Sequence, residues 1–236
     1  MKRFWKHATV RSLAAGGFRV LLDGKALCLP GGAELAVAAL PLAEAIVAEW
    51  NAAGTGEGAE VSWNDLPLTR LAGTAQERVA PDPAPAVQAI LRYGGGDLLC
   101  YWAEEPESLV ARQARDWRPW LSWLERRHGV RLVTTAGVAP VAQPPEALVR
   151  LAAVVEALPP ATLAALGVAV PLLGSVVLGL ALAESALGAA EAFRLATLDE
   201  AFQAERWGRD ALAESRRREM ATELGEVERF LALVWT

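Results

Sequence analysis

The residue types that could do chemistry gather in one stretch of the last quarter of the chain, Leu198-Asp199-Glu200-Ala201-Phe202-Gln203-Ala204-Glu205-Arg206-Trp207-Gly208-Arg209-Asp210. On a helix advancing about 100° per residue, Glu200, Gln203 and Trp207 fall in one column at i, i+3, i+7. Beside them Ala190, Thr197, Ala201, Ala204 and Gly208 form a face of small side chains, against which another helix can come close. Leu198, Phe202 and Glu205 fall on a third stripe, the one expected to face a core. A carboxylate, an amide and an indole make directional contacts, but they supply no nucleophile and no proton shuttle suited to neutral pH. The pattern is built to hold something rather than to react with it.

Other reactive side chains are sparse. Cys28 and Cys100 lie far apart without CxxC spacing, which suits a reducing compartment, and with only His7 and His128 beside them they make a dedicated zinc site improbable. Cys100 sits in the apolar run Leu98-Leu99-Cys100-Tyr101-Trp102 and reads as a buried, inert thiol. His128, beside Gly129, reads as a helix-end residue. Gly94-Gly95-Gly96 lacks both the spacing and the lysine of a phosphate-binding loop and reads as a turn. The enzymatic alternative is a small metal-assisted hydrolase using acidic residues such as Glu49, Glu200 or Asp210; no catalytic residue, metal ligand or cofactor is assigned.

The elements that must position these residues follow from punctuation and period. A chain of 236 residues, 53% hydrophobic and 22% charged, is long enough for a sizeable core, and its net charge of −5 leaves no electrostatic footprint for nucleic acid. Arg216-Arg217-Arg218, between Glu214 and Glu219, reads as a solvated helix face. Phe18 to Leu22, the turn signal Asp23-Gly24 and Lys25 to Leu29 predict a hairpin, and Pro41 to Trp50 a helix with Leu42, Ile46, Glu49 and Trp50 on one side. Beyond the breaker cluster Pro81-Asp82-Pro83-Ala84-Pro85, helices are predicted over 86–93, 106–128, 145–157, 160–187 and 189–234, with Arg131 to Thr135 a short strand or extended connection. The fold class is α+β: a small β-containing N-terminal domain, residues 1–80, followed by a larger, mostly α-helical domain, residues 81–236. Leu163 to Ala183 carries no charge and is long enough to span a bilayer, but its glycines, Pro171 and missing flanking anchors point to a buried hairpin or helix. The N-terminus has no apolar h-region of a secretory signal.

Nine tryptophans are present, and Trp117, Trp120 and Trp123 recur every three residues, a ridge suited to core packing or to a partner surface. Taken in order, Arg3-Phe4-Trp5-Lys6, Leu22-Asp23-Gly24-Lys25, Ala48-Glu49-Trp50, Leu66-Pro67-Leu68-Thr69-Arg70-Leu71-Ala72, Tyr93-Gly94, Asp97-Leu98-Leu99-Cys100-Tyr101, Gln113, Trp117 to Trp123 and the Leu198 to Asp210 stretch resemble the ATP12 family of F1-ATPase assembly chaperones. The chain departs from that pattern at Gly73, Gln76-Glu77, Gly95-Gly96 and Arg118. The resemblance implies a non-enzymatic chaperone that binds the unassembled F1 α subunit and shields its β-contacting surface until assembly, without ATP hydrolysis. It implies an α-proteobacterial or mitochondrial setting, of which the alanine-rich composition favours the bacterial cytoplasm, with the mitochondrial matrix for eukaryotic relatives; a monomer is expected, and the charge and the patterning above point to no nucleic-acid partner and no membrane insertion. The resemblance also places a functionally sensitive acid in the last-quarter stretch; Glu200, with Gln203, Trp207 and Asp210, is expected to contact the client.

Overall fold

Asp23 and Gly24, at φ 48° and 82°, turn the strand β2 (Phe18–Leu22) into β3 (Lys25–Ala26), a hairpin with positive φ at both central residues. β1 (Ala8–Ser12) pairs antiparallel with β2 from Ala8↔Leu22 to Ser12↔Phe18, and β4 (Ala36–Val37) pairs with β2 through Phe18↔Val37. The Asp23 carboxylate also accepts the His7 and Lys6 backbone N–H groups, which hold it below the usual carboxylate range. A computed structural model describes residues 1–54, 56, 58–137, 139–208 and 210–234. It divides into two compact units, one of Met1–Pro83, Pro160–Ala165 and Arg229–Thr236, the other of Ala84–Pro159 and Leu166–Glu228.

In the first unit, α1 (Leu40–Ala52) starts with proline in its first turn and buries Leu42, Ala43, Ile46, Glu49 and Trp50. Trp50 is fully enclosed: its indole N–H donates to Thr69 Oγ1 at 2.9 Å, its carbonyl accepts the Trp5 indole at 2.9 Å, and the two rings meet edge to face at 4.6 Å. Glu49 caps α2 (Pro67–Thr74), accepting the Leu68 and Thr69 N–H groups at 2.6 and 3.0 Å and the Thr69 hydroxyl at 3.0 Å. A π turn, Ala75–Val79, follows. There Gln76 bridges Ala36 N–H and Glu34 C=O, and Glu77 accepts the N–H groups of Gly31 and Ala33. A Cβ at residue 31 would lie 2.6 Å from the Glu77 carboxylate, so Gly31 is what admits this clamp. Gln76 and Glu77 thus staple the segment leading into β4.

The rest of the chain is mostly helical. α3 (Ala84–Leu91), α4 (Glu107–His128) and α5 (Pro145–Glu156) lie where 3.6-residue spacing places them, and the extended connection shortens to β6 (Thr135–Ala136), paired in parallel with β5 (Tyr101–Trp102). The single run predicted over 160–187 is two helices, α6 (Pro160–Leu173) and α7 (Val176–Ala183), parted by Gly174 at φ 62°. Ser175 caps α7, and behind it the fully buried Asp97 accepts the Ser175 hydroxyl at 2.7 Å and the N–H groups of Val177 and Leu99. Every residue of α7 is buried, and no helix among the described residues is long and apolar enough to cross a membrane.

The run predicted over 189–234 is three helices: α8 (Ala189–Ala196), α9 (Leu198–Trp207) and α10 (Ala211–Val234). Thr197 ends α8 by donating its hydroxyl to the Phe193 carbonyl, and Gly208, at φ 90°, ends α9. Both breaks are local capping events inside a sequence whose apolar spacing runs on unbroken, so periodicity alone hides them. Arg209 lies outside the described residues.

Candidate functional site

Glu200, Gln203 and Trp207 stand in one column on α9, as the spacing predicts, while Asp210 sits beyond the helix and caps α10 by accepting the Ala213 N–H at 3.1 Å. All four line a single open groove of about 440 Å³ between α9 and α10, completed by Ala204, Gly208, Ala213, Glu214, Arg216, Arg217 and Met220. Glu200, Gln203 and Trp207 make no hydrogen bond or ion pair among the described residues, and Trp207 is 77% exposed, the most solvent-facing large apolar side chain described. Leu212, at the same end of α10, is 60% exposed.

The column faces outward because α4 grips the opposite side of α9. Gln113, fully buried on α4, accepts the Ala103 N–H at 2.7 Å and donates to Asp199 Oδ1 at 2.8 Å. Burial raises the Asp199 carboxyl above its ordinary range against the pull of that hydrogen bond. Arg112 contacts both oxygens of Glu205 at 3.0 Å, and Arg206, stacked on the Phe202 ring, reaches Ser108. Trp117 secures α4 to α8, its buried indole donating to the Leu195 carbonyl at 3.0 Å.

Several expectations need correction. The five small residues do not share one face, since three helices replace one: Ala190 is exposed on α8, Thr197 is a buried cap, and Gly208 has left the helix. Only Ala201 and Ala204 look toward α10, and there they line a second gap of about 350 Å³ with Phe193, Glu214, Arg217 and Ala221. Glu205 is not in the core. Its side chain is 58% exposed, because α9 leaves the core after Phe202 and Arg112 meets the carboxylate at the surface. The α10 wall was missed in the sequence, where Arg216-Arg217-Arg218 reads as a solvated face; Arg217 instead lies over Phe193 and reaches Thr197 Oγ1. Its signal is the flanking Ala213 and Met220, apolar residues one turn either side of it.

The remaining candidates are structural. Glu49 spends its carboxylate on the α2 cap, and among the described residues no three His, Cys, Asp or Glu side chains gather as a metal would require. Burial pushes the Cys100 thiol up to about 12, and His128 packs on Trp123 with Nε2 2.8 Å from Glu184, close but not aligned as a hydrogen bond. Gly94 lets Leu151 approach, where a Cβ would meet it at 2.7 Å. What the groove presents is contact surface: an indole, an amide, charges of both signs and small apolar residues.

Comparison with known proteins places the chain among chaperones. The family described as ATP12 chaperone protein matches residues 2–125. The crystal structure of Atp12 from Paracoccus denitrificans is 40% identical and superposes with a TM-score of 0.91, covering 99% of this chain and 98% of that one. An aspartate-to-lysine mutant of P. denitrificans Atp12p gives the same identity and TM-score over 99% and 97% of the two chains. A protein from Agrobacterium tumefaciens is 38% identical at a TM-score of 0.90, over 99% and 86%. The chain belongs to the ATP12 chaperone family.

Proposed function

We propose that this chaperone binds the unassembled α subunit of the F1 sector of ATP synthase and shields its β-contacting surface until the β subunit takes its place, without hydrolysing ATP and without enzymatic activity of its own. An orphan subunit exposes an apolar interface that would otherwise self-associate, and a binding surface is sufficient to prevent this. The observation that carries the reading is the groove between α9 and α10, where Glu200, Gln203, Trp207 and Asp210 converge, the first three with no hydrogen-bond or ion-pair partner among the described residues. The chaperone acts as a monomer in a bacterial cytoplasm. Tagged chain is mixed with separately expressed F1 α and β subunits and recovered by affinity: α retained and β excluded supports the proposal, and loss of both overturns it.

A further inference from the structure

We propose that the occupant of the α9/α10 groove is a helix: an amphipathic client segment of two to three turns, its apolar strip on the alanine floor, a cation toward Glu200 and an anion toward Arg216. This deepens the reading above and rests on the groove being the client site.

The backbone selects the form of the occupant. Both walls are helices whose interior N–H and C=O groups are bonded within the helix, and at the ends by the groove Gly208 N–H goes to the Ala204 carbonyl and Ala213 N–H to Asp210. Among the described residues the two helices offer no strand edge to pair with. An extended segment laid here would turn its own unpaired N–H and C=O groups onto Ala204, Ala213 and Met220, which offer them no hydrogen bond. A helix arrives with those groups already paired.

Length, floor and charge fit the same occupant. Glu200 to Trp207 is seven residue steps, about 10.5 Å or two turns at a rise of 1.5 Å. Ala204 and Ala213 keep the floor low enough for close helix approach, and Met220 can adapt its shape. The α10 wall has room to receive it, since no residue from 211 to 223 is buried, whereas Leu224 and Val227 farther along the helix are. On the α10 wall Asp210 is spent on the Ala213 N–H, Arg217 on Thr197 and Phe193, and Glu214 has an interaction of its own, which leaves Arg216 to face Glu200 across the groove, so a helix with the reversed pair on its two flanks seats in one orientation.

The probe is a fluorescent, hydrocarbon-stapled peptide of about fourteen residues, a length near 21 Å, with leucine and alanine along one face, lysine on one flank and glutamate on the other. A peptide of the same composition interrupted by prolines is the comparison. The stapled probe should bind and the interrupted one should not. Ala204→Trp and Ala213→Trp, which fill the floor from either wall, should each weaken the probe at least tenfold with native circular dichroism; if one variant misfolds, the other carries the test. Glu200→Lys should lose the probe, and a probe with glutamate on both flanks should bind this variant. Equal binding of the two peptides, binding unchanged in both tryptophan variants, or no binding at all overturns the helical occupant. Full α-subunit capture by both natively folded tryptophan variants also overturns it while the proposed function stands. Probe binding by a chain that fails to capture the α subunit overturns the client and leaves the helical occupant in place.

Discussion

Glu200 and Trp50 are both singled out by the sequence, and the structure separates what each does. Glu200 is exposed beside Trp207 and has no ion-pair partner among the described residues, so Glu200→Lys should leave the fold intact, by circular dichroism and melting temperature, while weakening α-subunit capture by roughly tenfold to a hundredfold, as charge reversal at a binding surface does. Full capture by the variant would return Glu200 to the solvated surface. Trp50 is enclosed and bonded at both its indole and its carbonyl. Trp50→Ala should cost about 3–5 kcal/mol in denaturant unfolding, a large part of a typical stability, and lower soluble yield before it changes binding. Asp97 gives a pH signature. Burial raises its carboxyl from 3.8 to about 6 in spite of the Val177, Ser175 and Leu99 hydrogen bonds. Because the folded pKa is the higher, the folded state takes up a proton before the unfolded chain does. This group's contribution to stability is therefore full below about 4 and is lost as pH rises through about 6. In Asp97→Asn that titration is gone, and its amide cannot accept from both Val177 and Leu99, so the variant should be less stable than the parent by a margin that is larger near pH 4.5 than near pH 7. A margin that shrinks on acidification would refute the assignment.

At the scale of elements, α9 functions only as well as α4 holds it. Gln113→Leu removes the partner of both the Ala103 N–H and the half-buried Asp199 carboxylate, at about 1–3 kcal/mol for each group left unpaired. Amide exchange across α9 should accelerate and α-subunit capture fall with it. Glu205→Ala breaks only an exposed pair with Arg112, worth at most about 1 kcal/mol, and should leave exchange nearly unchanged; equal effects of the two variants would mean that the surface pair, not Gln113, holds the helix. Much of this was legible in the chain. The Asp23-Gly24 hairpin, α1 with its buried side, α4, α5 and the Glu200-Gln203-Trp207 column are all short-range consequences of turn chemistry and period. What was not legible lies where a few capping hydrogen bonds override that period. Ser175 and Asp97 cut one apolar run in two, and Thr197 and Asp210 divide another into three, so that Asp210 reaches the groove from the start of α10 rather than from the end of α9. Glu205 misled for a related reason: the angular wheel places it with Leu198 and Phe202 but does not say how far along its axis a helix stays covered.

Taken whole, the chain does not partition at one point along its length. The first compact unit takes Met1–Pro83 but also Pro160–Ala165 and Arg229–Thr236, which contribute the buried Thr162, Leu163, Ala164, Ala165, Phe230 and Leu231. Fully burying one leucine or phenylalanine stabilises by about 1.5–3 kcal/mol, so Leu163, Phe230 and Leu231 together account for roughly 5–9 kcal/mol. That is comparable to the entire stability of an ordinary domain. The proline cluster at Pro81 to Pro85 is thus a poor place to cut, although its composition is that of a linker. A fragment of residues 1–83, made alone, should retain strand and helix signals in the far ultraviolet but lose the near-ultraviolet signal of the packed Trp5–Trp50 pair and unfold without a cooperative transition. Adding the two missing segments back in one chain, through flexible linkers in place of the residues between them, should restore a cooperative melt. A sharp transition in the 1–83 fragment by itself would show that the N-terminal segment carries a sufficient core of its own and that the later segments merely cover it.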